Sequence, residues 1–140
     1  MTSGTSNTSD TITRLKALSK NEPVAKLLGM KLTSLVPGRA KVSMTLKAEH
    51  LNFKGGVFGG VIASLADYAF SYGSNSANYP SIAAQFNINF IAAPSVGDKL
   101  TAECRVIRSG RRAGISEITV KDQAGKLIAR ATGITVPVGK

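Results

Sequence analysis

Cysteine, histidine and acidic side chains are scarce in this chain. Its 140 residues include one Cys, one His, no Trp and only 8 Asp plus Glu, against 18 Lys plus Arg. A lone Cys104 excludes an internal disulfide framework and a multi-Cys zinc site. A lone His50 argues against a His-rich metal centre and against a Ser-His-Asp triad. No metal and no cofactor are expected. No apolar run approaches the ~18 residues that a transmembrane helix requires. Residues 1–10 are rich in Ser and Thr and lack an apolar core, so a secretory signal is not expected. These absences point to a cytoplasmic chain with no membrane association. The shortage of acid leaves a formal net charge of +10. That charge attracts anions but does not say which: nucleic acid, a membrane surface or a phosphate-bearing small molecule.

What is present is enough for one folded domain. A chain of this length buries roughly 68–70% of its unfolded surface. Hydrophobic residues make up 43%, a globular and not a disordered composition. Residues 1–10 read as a flexible tail, followed by one domain over 11–140. A short helix is expected over 11–19 and a helical turn over 23–28. A strand at 30–36, a Pro37-Gly38 turn and the clean alternation of Ala40, Val42, Met44 and Leu46 with polar neighbours predict a hairpin. Residues 61–77 hold no Pro and carry apolar groups on every side, the pattern of a buried helix. After Pro80 the period returns to two. Ile82, Ala84, Phe86, Ile88 and Phe90 share one face, and Gln85, Asn87 and Asn89 the other. Further strands are expected near 100–107, 113–121 and 126–136. Strands gathered around one central helix predict an α+β fold with a curved antiparallel sheet, and dimerisation would protect its edges.

Asp67 is the most informative residue. It is the only charged side chain between Lys54 and Asp98, and it lies in the most apolar segment of the chain. One reading places it on a narrow exposed stripe, or makes it a structural acceptor. The other makes it a carboxylate pushed toward low dielectric and facing a pocket, as a general base or a nucleophile. Gly55, Gly56, Gly59 and Gly60 precede the helix. Its free N–H groups suit an anion or a developing oxyanion, although a Gly-rich turn is by itself only a turn. There is no Gly-Lys-Ser/Thr, which excludes a Walker phosphate loop. Asn52 reads as a turn former, or as an amide that holds a water or a carbonyl. His50 reads as a surface residue. Ser64 lies one helical turn before Asp67 and has no His to activate it. Lys99, Arg105, Arg108, Arg111 and Arg112 concentrate charge around one turn, either as solvated surface or as a phosphate clamp. No aromatics interleave with them, which counts against a single-strand nucleic-acid platform.

The stretch from His50 to Phe70 resembles the signature of hotdog-fold acyl-CoA thioesterases, most closely the PaaI-type group. Asn52, Gly55, Gly59, Gly60, Leu65, Ala66 and Asp67 fall in register with it. Asn89-Phe90, Pro94 and Gly97-Asp98 also resemble the family, and the likeness runs from about residue 23 to 136. The resemblance implies a hotdog fold, a sheet wrapped around a long central helix. It implies a homodimer, or a homotetramer built as a dimer of dimers, with an active site between subunits. Asp67 would be base or nucleophile, the Gly59 N–H the oxyanion hole, and Asn52 would orient water or the carboxylate. The substrate would be an acyl-CoA. Phe58, Gly60, Ser64, Tyr68 and Gln85 would line its site, with Arg108, Arg111 and Arg112 near the phosphates. One departure stands out: the family's His before Gly-Gly is Phe58 here. A phenyl ring donates no hydrogen bond, so it would slow hydrolysis, wall the acyl pocket, or leave a protein that binds acyl-CoA without cleaving it.

Overall fold

The period-two segments become six strands: β1 (Lys31–Val36), β2 (Arg39–Thr45), β3 (Ser81–Phe90), β4 (Lys99–Ser109), β5 (Gly114–Lys121) and β6 (Leu127–Pro137). In the computed structural model, which describes residues 4–139, they form one sheet in the order β1-β2-β4-β5-β6-β3. Every neighbouring pair is antiparallel. Three helices accompany them: α1 (Gly4–Ser19), α2 (Pro23–Leu28) and α3 (Gly59–Ala77). The sheet packs around α3, the architecture that the resemblance implied.

The register explains why. Ala40 pairs with Cys104, Cys104 with Ile118, Ile118 with Ala131, and Ala131 with Ile88. This row of side chains crosses the sheet on the helix side, and its first four members are buried. Small residues let α3 come close. A Cβ on Gly73 would lie 2.6 Å from Cys104 Sγ, and one on Gly133 would lie 2.4 Å from the Phe70 ring. Leu65, Ala66, Ala69 and Phe70 are at most 1% exposed.

Three expectations need correction. Helix α1 begins at Gly4, not at residue 11, so residues 4–10 of the expected tail are helical; residues 1–3 lie outside the described residues. Helix α3 begins at Gly59, two residues early, because the glycines leave the backbone unhindered at its start. In β3 the alternation breaks. Ala83 pairs with Thr135 and Gln85 with Ile134, so Ala84 is an inserted residue. Such a bulge reverses the side-chain faces on either side of it. Phe86 and Ile88 pack on the core, while Ile82 is 55% exposed.

Candidate active site

The loop before α3 is a self-bonded structure. Asn52 Oδ1 accepts the N–H groups of Lys54 (3.0 Å) and Gly56 (3.2 Å). The Asn52 N–H donates to the Gly56 carbonyl at 2.7 Å, and Gly55 takes a φ of 82° that favours glycine. The turn-forming reading of Asn52 therefore holds, and its side-chain NH2 is the end that remains for a ligand. His50 is not a surface residue. It is 5% exposed, and its Nδ1 accepts the Lys47 N–H at 3.0 Å. Its carbonyl accepts the Phe58 N–H at 2.9 Å, which fixes where the helix begins.

Gly59 and Gly60 are the first two residues of α3, so their N–H groups have no acceptor within the helix. Two aromatic rings flank them. The Phe58 ring lies where a Cβ on Gly60 would be, at 2.4 Å, and Phe90 Cζ lies 3.3 Å from the position of a Cβ on Gly59. Both rings are about half exposed, Phe58 at 56% and Phe90 at 53%. Beside them opens a cleft of about 360 Å³, lined by Val57, Gly59, Ile62 and residues 90–94. No charged side chain lines it. Behind it, Asp98 holds the β3–β4 loop by accepting the Ser95 N–H and the Gln123 amide.

Asp67 does not point into the core. Gly60, Asp67 and Ser71 form an exposed stripe on α3, with Ser64 and Asn75 half-buried along it. The stripe runs along edge strand β3. Gly59 meets Phe90 at one end, and Asn75 exchanges hydrogen bonds with the Ser81 backbone at the other. The stripe reading of Asp67 is therefore correct for one protomer. Even so, desolvation by the surrounding protein raises its carboxyl above the ordinary aspartate value of 3.8. Asp67 lies eight residues along α3 from Gly59. At a rise of ~1.5 Å per residue that is about 12 Å. The two groups therefore stand well apart along the helix of one chain.

The remaining candidates separate. Ser64 Oγ donates to the Gly60 carbonyl at 2.7 Å, which engages its proton. Tyr68 is buried, its ring edge-on to Tyr72 at 5.1 Å, and so is off the stripe. Burial, with Glu22 nearby, pushes its hydroxyl to about 12, and that hydroxyl has no hydrogen-bond partner among the described residues. Gln85 is exposed on β3 beside the bulge. Arg108, Arg111 and Arg112 are exposed at the β4–β5 hairpin. Asn78, at the end of α3, donates to Gly110 of that hairpin at 3.4 Å. The arginines thus sit at the far end of a 19-residue helix from Gly59, roughly 28 Å away. Sequence reasoning did not single out Val57, Ile62 or residues 91–93 as a cleft, because apolar residues in a loop carry no signal of the cavity they enclose. Among the described residues no group of His, Cys, Asp or Glu could hold a metal ion. No helix among them is long and apolar enough to cross a membrane.

Comparison with known proteins bears on this geometry. The thioesterase superfamily model matches residues 54–129, from the glycine loop to β6. A putative esterase of Archaeoglobus fulgidus is 36% identical over 137 residues, covering 97% of this chain and 89% of that protein. The acyl-coenzyme A thioesterase PaaI of Escherichia coli is 35% identical over 123 residues, 88% of each chain. The structure of the E. coli PaaI protein superposes with a TM-score of 0.84 over 88% of this chain and 89% of that one. A Streptococcus mutans protein, solved bound to acetyl CoA, is 27% identical with a TM-score of 0.76, over 79% of this chain and 90% of that one.

Proposed function

The chain belongs to the thioesterase superfamily and is a PaaI-type thioesterase of the hotdog fold, and from that premise we propose that it hydrolyses an acyl-CoA to the free acid and CoA. The observation that carries the proposal is the pair of free N–H groups at Gly59 and Gly60 beside an uncharged cleft. A thioester carbonyl bound there has its developing negative charge stabilised by a preorganised donor and by the helix dipole. Asp67 acts as the base that takes a proton from water, or as the nucleophile. Its raised pKa makes it a stronger base than an ordinary aspartate. Asn52 offers its amide to the water or to the carboxylate.

About 12 Å between Gly59 and Asp67 along one helix supports a site built from two copies. The α3 stripe and edge strand β3 form one unpartnered face, with Phe90 exposed at its Gly59 end. A second copy covers that face and brings its own Asp67 to this Gly59. The assembly is a homodimer, or a homotetramer made of two such dimers. Antiparallel pairing of β3 with β3 carries the second copy's arginine hairpin toward the Phe90 end, where it can meet the phosphates of CoA.

Free-thiol release from short, medium, long and aryl acyl-CoAs tests the proposal. Release above background from at least one is expected, and none from any would refute it. Phe58 supports a second reading, a non-hydrolytic acyl-CoA binder. Tight binding of a CoA ester without thiol release would select it.

A further inference from the structure

We propose that Phe58 and Phe90 form a clamp that excludes acyl groups branched at the α-carbon. The inference rests on the reading that the thioester carbonyl binds at the Gly59 N–H. The α-carbon is two bonds from the carbonyl oxygen, so it lies in contact range of whatever flanks the Gly59–Gly60 backbone. The flanking groups are the two phenyl rings. Phe58 occupies the place of a Cβ on Gly60, and Phe90 closes on the place of a Cβ on Gly59. The glycines let both rings come down against the helix start.

The two rings stand against the helix start, and a wider cleft opens beside them. The cleft of about 360 Å³ exceeds the ~150 Å³ of a cavity that accepts benzene. Length and terminal bulk of the acyl group are therefore tolerated, and the restriction falls on its first carbon. A methyl branch there must displace a ring. A hydrophobic pocket discriminates one methyl by about 10–200-fold. Phe58 is the more movable jaw. It lies in the loop before the helix, whereas Phe90 ends a strand paired to β6 through Ala129.

The test compares hexanoyl-CoA with 2-methylhexanoyl-CoA in the wild type and in Phe58→Ala. The wild type should favour the linear ester by about 10²-fold in kcat/KM. Phe58→Ala should reduce the ratio below tenfold, chiefly by raising the rate on the branched ester, a gain that misfolding cannot imitate. Equal rates on the two esters in the wild type, or an unchanged ratio in the variant, would overturn the clamp. Calorimetry with the two non-hydrolysable ketone analogues separates this from the hydrolytic reading. If no thiol is released, hydrolysis fails on its own account, and the clamp still stands or falls on the affinity ratio. The linear analogue should bind at least tenfold tighter, and equal affinities would refute the clamp.

Discussion

At the scale of single residues, Asp67 carries the sharpest consequences. Its carboxyl is raised above the ordinary value by desolvation, and in the proposed mechanism the working form is the carboxylate. Turnover should therefore fall as pH drops through the raised pKa, with an acid limb above the usual aspartate range. A limb at or below 3.8 would contradict the assignment. Asp67→Asn should lower kcat by about 10²–10⁴, the contribution of a positioned base. The same shift has a stability consequence. A folded-state pKa above the unfolded one means that the folded state holds its proton more tightly, so stability is lost as pH rises through that window. At neutral pH the charge opposes folding, and Asp67→Asn should melt no lower than the wild type. A variant that is dead and also less stable would recast Asp67 as structural. The exposed stripe was legible in the sequence only as one of two readings of Asp67, because the apolar residues between Gly60, Ser64, Asp67 and Ser71 hid it. The burial of His50 was not visible, because it follows from a backbone N–H three residues away that the ring accepts.

At the scale of elements, α3 is held against the sheet by missing side chains. Gly133 faces Phe70, which is 1% exposed and stacks on Phe86 at 5.9 Å. Gly133→Ala should cost about 1–3 kcal/mol, as overpacking does, read as a lower denaturant midpoint with an unchanged slope. No loss would show that the sheet can retreat from the helix. The strands and the central helix were legible because periods of two and of continuous apolarity survive in the sequence. The β3 bulge was not, since Ala83 and Ala84 give no hint of which one is unpaired. The arginine hairpin was legible as a turn, but its distance from Gly59 depends on which end of α3 it packs against.

At the scale of the whole molecule, the charge of +10 and the unpartnered β3 face acquire separate meanings. Under the proposed function, the charge draws in a phosphate-bearing ester. Raising ionic strength from 0.01 to 1 M shortens the screening length from about 30 to 3 Å, so KM for acyl-CoA should climb severalfold while kcat changes little. A salt-independent KM would show that the arginines stand clear of the ligand. The unpartnered face is the proposed assembly surface, and on it rests the central claim that one site takes Asp67 from one copy and Gly59 from another. Co-expression of Asp67→Asn with Gly59→Pro tests this most directly. Proline removes the Gly59 N–H and suits a first helical position. Each variant alone should be inactive. Random pairing makes about half of the dimers mixed, and each mixed dimer holds one intact site. A split site therefore predicts recovery of about a quarter of wild-type thiol release, whereas co-expressed variants as inactive as either alone, beside an active wild type, would contradict it.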